Sequence, residues 1–101
     1  MKKQLNNPEV DELFRAILTL ETKEECYQFF GDVCTINEIL SLAQRFEVAR
    51  MLRDGSTYLQ ISDKTGASTA TISRVNRSLN YGNDGYELVW ARMDKDGEAA
   101  E

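Results

Sequence analysis

The punctuation of this chain constrains its fold more than any other feature. Its one proline is residue 8, and its six glycines fall at 31, 55, 66, 82, 85 and 97. A fold of many short strands needs frequent turn signals, so the long stretches between these positions read as helices. Within them, apolar residues recur three and four positions apart. Val10, Leu13, Phe14, Ile17 and Leu18 are interleaved with Glu9, Asp11, Glu12 and Arg15, and Pro8 suits a first helical turn, which predicts a helix over about 8 to 21. Thr22 with Glu25 and Thr35 with Glu38 have capping-box spacing. They predict two further helices, one ending near Gly31 and the other near Gly55.

The stretch from 36 to 53 carries Ile36, Ile39, Leu40, Leu42, Ala43, Phe46, Val48, Ala49, Met51 and Leu52, with Glu38, Ser41 and Arg45 on its polar side. It is apolar over more than half of its circumference, which one neighbouring helix does not cover. Two arrangements satisfy it: a central helix in a monomer, or a helix whose remaining cover is a second copy of the chain. Ser56 or Thr57 then opens a short helix, with Thr57 and Gln60 at capping-box spacing, and Gly66 closes it. Ser68 or Thr69 caps the next, in which Ile72, Val75 and Leu79 follow at helical spacing until Gly82. Asn83 or Asp84 is placed to cap a last helix with Tyr86, Val89, Trp90 and Met93 on one face. The remaining residues, DKDGEAAE, have nothing to bury, so residues 1–93 read as one helical domain and 94–101 as an acidic flexible tail.

The residue inventory argues against an enzyme. The chain has no histidine, and Cys26 and Cys34 are spaced neither as a metal knuckle nor as a redox pair. No metal site and no cofactor are expected. Hydrophobic residues at 42% are enough for a core, but no apolar run approaches the roughly 20 residues that cross a bilayer. The opening MKKQLNNPEVDE has lysines but no apolar segment after them, so neither a signal peptide nor a membrane partner is expected, and the cytoplasm is the expected location.

A net charge of −5 argues, as an average, against a polyanion. Its distribution argues otherwise. Residues 1–42 sum to −4, residues 43–82 to +3 and residues 83–101 to −4, so a polyanion would meet the middle of the chain.

That middle holds YLQISDKTGASTATISRVNR, residues 58–77, whose spacing fits a helix-turn-helix over about 57 to 80. Ile61 points inward, Gly66 sits where the turn needs positive φ, Ser62 stands at the close crossing, and Ile72 and Val75 lock the second helix onto the first. The front of that second helix presents Ser68, Thr69, Ala70, Thr71, Ser73 and Arg74, with no acidic residue among them. Small hydroxyl and methyl groups approach base edges closely, while Arg74 and Arg77 neutralise backbone phosphate. A helical hairpin used only for packing is the alternative.

From Thr35 to Met93 the chain resembles the Trp repressor superfamily, and over its whole length it is similar to the YerC/YecD-like branch of that group. The likeness rests on the capped helix before MLRDG, on the turn KTGAS, and above all on ATISRVNRSLNYG. It implies an all-α chain of six helices in an intertwined homodimer, with two recognition helices entering successive major grooves and repression as the outcome. By position, Thr69, Ala70 and Thr71 fall where the family reads bases, and Ser73 and Arg74 where it holds phosphate. At the ligand position the arginine that stacks on tryptophan in the family is Gln44, and a family glycine is Val75, whereas Arg74 and Ser78 are retained. Gln44, Arg74 and Ser78 are therefore candidate residues for an effector of unknown identity, and tryptophan is not the expected one, because Val75 overfills the site and Gln44 lacks the stacking cation.

The resulting expectation is a homodimeric regulator of transcription, a repressor on a two-half-site operator in double-stranded DNA. Its contacts are Ser68, Thr69, Ala70, Thr71, Ser73, Arg74 and Arg77. The competing expectation is a helical dimer that docks a protein through the same hairpin without touching DNA.

Overall fold

A computed structural model describes the backbone of residues 7–100 and the side chains of residues 7–95. The signal-peptide reading of the first six residues lies outside it. Six helices follow in order: α1 (Pro8–Ile17), α2 (Lys23–Val33), α3 (Ile36–Arg53), α4 (Tyr58–Thr65), α5 (Thr69–Tyr81) and α6 (Gly85–Ala100). No strand occurs among the described residues. The chain divides into two units, residues 1–40 and residues 41–101.

In the first unit the helix ends follow local hydrogen bonding. The Asn7 side chain accepts the Val10 N–H at 2.8 Å, with Pro8 in the first turn, so α1 begins as predicted. It stops at Ile17 rather than near 21. The Thr19 hydroxyl donates to the Ala16 carbonyl at 2.6 Å, and the Thr19 N–H also turns back to Ala16, a tightened last turn that satisfies terminal carbonyls. The Thr22 hydroxyl accepts the Glu25 N–H at 3.0 Å, but the Glu25 carboxylate reaches the Glu21 N–H, one residue earlier than a reciprocal box requires. Gly31 does not end α2, which runs on to Val33. Glycine weakens a helix by only about 1 kcal/mol. The stop comes from the extended Cys34, followed by the reciprocal Thr35 and Glu38 box that starts α3.

α1 and α2 bury none of their residues, and the start of α3 resembles them. Leu18 is 83% exposed, Tyr27 75%, Ile36 75% and Leu40 61%. The amphipathic faces read in the sequence are present, and the chain's own packing leaves them uncovered.

The second unit holds the core. Val48, Ala49 and Met51 from α3, Ile61 from α4, Ala67 from the turn, Ile72 and Val75 from α5 and Trp90 from α6 are buried together. Full burial of side chains such as Ile61 and Ile72 contributes about 1.5 to 3 kcal/mol each. Phe46, Tyr86 and Trp90 form an aromatic cluster with ring centroids 5.5 to 6.2 Å apart, and the Arg53 guanidinium lies 4.3 Å from the Trp90 ring centre. Of the face predicted for the last helix, Trp90 is buried and Tyr86 half-buried, whereas Val89 and Met93 are exposed.

α6 begins after Asp84, whose φ of 62° is left-handed rather than the extended backbone of a side-chain cap. It also continues past Met93 to Ala100, where a tail was expected. Once nucleated, a helix propagates without burial, and the Lys, Glu and Ala of this stretch favour it.

Gly82 closes α5 with φ −89° and ψ −143°, its N–H bonded to the Ser78 carbonyl. A Cβ built there would lie 2.3 Å from that oxygen, which belongs to backbone. Gly82→Ala is expected to destabilise the protein by about 1 to 3 kcal/mol, the range for enforced local strain. Urea unfolding at matched protein concentration checks this, and an unchanged midpoint would contradict it.

Candidate nucleic-acid interface

The helix-turn-helix is assembled from α4 and α5. Thr57 and Gln60 make a reciprocal capping box, in which the Thr57 N–H donates to the Gln60 side-chain Oε1 at 2.8 Å and the Gln60 N–H donates to the Thr57 hydroxyl at 3.2 Å. Gly66 ends α4 with φ 74°, the positive value predicted for the turn, which glycine adopts without a Cβ penalty. Ala67 is buried in the turn, and the Ser68 hydroxyl caps α5 by accepting the Thr71 N–H at 3.1 Å. Ile61, Ile72 and Val75 are each at most 2% exposed, as the sequence predicted.

This packing decides what α5 shows to solvent. Ser68, Thr69, Ala70, Arg74 and Arg77 are exposed, and Thr71 and Ser73 are half-buried. The seven predicted contact residues thus lie on one helix, from its cap Ser68 to Arg77 in its second half. Ser68 and Thr71 are partly committed to each other, because their hydroxyls are 3.1 Å apart.

Charge sharpens this face. Arg50 pairs with Glu47 and Asp54, Arg53 with Asp54, and Lys64 with Glu47. Among the described residues no carboxylate pairs with Arg45, Arg74 or Arg77, so two of the three unpaired cations of the middle segment lie on α5.

The candidate ligand residues are not equivalent. Gln44 is half-buried and its Nε2 donates to the Thr65 carbonyl at 3.1 Å, so its amide is already engaged within the chain. Arg74 and Ser78, four residues apart on α5, share a helix face. Ser78 also lines an open groove of about 440 Å³ with Phe46, Gly82, Asn83, Tyr86 and Val89. No three His, Cys, Asp or Glu side chains come together as a metal site among the described residues, and no helix there is long and apolar enough to cross a membrane.

The sequence reading missed the links between α3 and the end of α4, made by Gln44 to Thr65 and by Glu47 to Lys64. Helical periodicity carries no signal for them, because they depend on where two helices cross.

Among the described residues, six helices and a glycine-turned helix pair whose second helix carries no carboxylate define an all-α helix-turn-helix protein. The family model described as Trp repressor protein matches residues 8–94, and the chain belongs to that family. It is 64% identical over 90 residues to uncharacterized protein YerC of Bacillus subtilis strain 168, covering 89% of this chain and 86% of that one. The crystal structure of a TrpR-like protein from Eubacterium eligens ATCC 27750 is similar with a TM-score of 0.89 and 66% identity, over 92% of this chain and 96% of the other. A crystal structure from Staphylococcus aureus is similar with a TM-score of 0.87 and 59% identity, over 91% and 92% of the two chains. The all-α Trp repressor fold expected from the recognition-helix motif is therefore present.

Glu47 provides a pH test of the fold around the motif. Its hydrogen bonds from Arg50 hold the carboxyl below its ordinary value of 4.5, against the opposing effect of burial and with a smaller pull from Lys64. A depressed folded value means that the stabilisation is complete above the unfolded value and is lost as pH falls through the folded one. Glu47→Gln should therefore lose less stability than the native chain when acidified from neutrality to below 4.5, as read by urea unfolding at both pH values. Equal losses would show that the Arg50 pairing contributes nothing.

Proposed function

We propose that this protein is a sequence-specific DNA-binding regulator of transcription that acts in the cytoplasm as a homodimer and represses by occupying an operator with two symmetric half-sites. The observation that carries the reading is the exposed face of α5, where small hydroxyl and methyl side chains stand beside two arginines that pair with no carboxylate among the described residues. A helix of that character fits the major groove, with its first turns at base edges and its cations at phosphates. Thr69, Ala70 and Thr71 read bases. Ser73, Arg74 and Arg77 hold the backbone, and Ser68 sets the start of the helix. Family membership supports the same reading. No catalytic role is assigned to any residue.

Selection from a random DNA pool, followed by affinity measurement over a salt series, tests this. Arg74→Ala should weaken binding to every sequence and reduce the slope of log affinity against log salt by about 0.9, the contribution of one phosphate contact. Thr71→Ala should change which sequence is preferred. Affinity that is independent of salt in the native protein would favour protein docking through the same hairpin instead.

The homodimer rests on a separate observation, the exposed apolar faces of α1, α2 and the first turns of α3. Leu18, Tyr27, Ile36 and Leu40 are each more than 60% exposed, and large apolar groups left bare in this way mark an interaction surface. A second copy presents the same uncovered faces, which suits a closed, two-fold interface, and a dimer supplies the two copies of α5 that two half-sites need. Sedimentation equilibrium at micromolar concentration should give twice the chain mass. A single-chain mass there would overturn both the dimer and the two-half-site operator.

A further inference from the structure

Among the described residues, the side-chain hydrogen bonds close over at most four positions with one exception, the Gln44 amide to the Thr65 carbonyl, 21 positions apart. Its acceptor sits at the corner of the helix-turn-helix. Thr65 is the last residue of α4, where helix carbonyls lack intrahelical partners. The same residue organises the turn with its side chain: its hydroxyl donates to the Ile61 carbonyl at 2.7 Å and accepts the Ala67 N–H at 3.1 Å. Ala67 is buried and Ser68 then caps α5, so the chain from Thr65 to the first turn of the exposed helix is held link by link.

We propose that Gln44 is the positioning residue of the DNA-reading helix: by donating from α3 to the Thr65 carbonyl it fixes the corner from which α5 starts. Glu47, one turn further along α3, reaches Lys64 at 3.8 Å and supports the same corner from the same helix face. Thr69, Ala70 and Thr71 lie only a few residues beyond the held carbonyl, so a shift at Thr65 is transmitted to them through the short turn. The amide is a donor aimed at backbone, and its role is to orient α5 rather than to touch DNA. This inference rests on the proposed function for its consequence at DNA, but not for the hold on the turn.

Two readouts separate the inference from that function. Gln44→Met keeps the side-chain length and removes the donor, and Gln44→Lys restores a donor that can reach the carbonyl. In Gln44→Met, hydrogen exchange at the Gly66 and Ala67 amides should speed up while the Val48 and Ala49 amides stay unchanged, and Gln44→Lys should return the turn to the slow rate. The ratio of affinity for the selected DNA to that for random DNA should fall roughly three- to tenfold in Gln44→Met, the scale of one intramolecular hydrogen bond, and recover in Gln44→Lys. The salt slope should not change in Gln44→Met, because no phosphate contact is lost. Native-like exchange at Gly66 and Ala67 in Gln44→Met would overturn the proposal, as would a defect that Gln44→Lys does not repair, since packing alone would then explain it. If the native protein shows no sequence preference, the DNA reading fails and the exchange measurements alone decide whether Gln44 holds the turn.

Discussion

The burial of Ile61 between the two helices of the motif, together with Ile72 and Val75, is the interaction on which the rest of the second unit depends. It places three apolar side chains on the inside of a short helix pair, with Leu79 packed beside them, and turns Thr69, Ala70, Arg74 and Arg77 of α5 to solvent. The face they form is small, hydroxylated and basic because the sequence puts those residues one and two positions away from the buried ones. The turn geometry is equally determined by one residue. Gly66 takes a left-handed backbone that a side chain would strain, and the buried Ala67 follows it directly.

Electrostatics acts through pairing rather than through net charge. The chain is acidic overall, yet Glu47 of α3 and Asp54 just after it are committed to Arg50, Arg53 and Lys64, which are themselves removed from the pool of free cations. Among the described residues Arg74 and Arg77 are left without acidic partners on the helix that the proposed function assigns to DNA. Segment sums put the excess in the middle of the chain, and the ion pairs leave Arg45 on α3 with Arg74 and Arg77 on α5 to express it. An exposed pair such as Lys64 with Glu47 contributes little to stability, at most about 1 kcal/mol, so its weight here lies in orientation and local field.

Helix starts were more legible than helix ends. Thr22, Thr35, Thr57 and Ser68, read as caps, each stand immediately before an observed helix, because a cap is a contact between residues three apart and needs no tertiary partner. Ends are decided by competition between propagation and whatever follows. Hence α1 stopped early at a threonine hydroxyl bond, α2 ran through Gly31, and α6 ran past the last apolar residue. The candidate contact positions are local in the same way. Its residues lie on one local helix, so the seven predicted positions are gathered by α5 itself, whereas the ligand candidate Gln44 was read by analogy of position and is found engaged with Thr65.

The sequence by itself determined what is local or periodic: six helices, their caps, the glycine turn, the buried stripe of the helix pair and the motif that marks the Trp repressor family. These depend on spacings of one to four residues, and the chain carries those spacings whatever surrounds them. Only the tertiary structure decided which apolar faces the chain covers for itself, so that Trp90 is buried while Leu18, Tyr27 and Ile36 are not. It alone paired Gln44 with Thr65, Glu47 with Lys64 and Arg53 with Trp90. The reason is geometric: a contact between distant residues is set by where helices cross and at what rotation, and periodicity reports the direction of a face without reporting what lies opposite it.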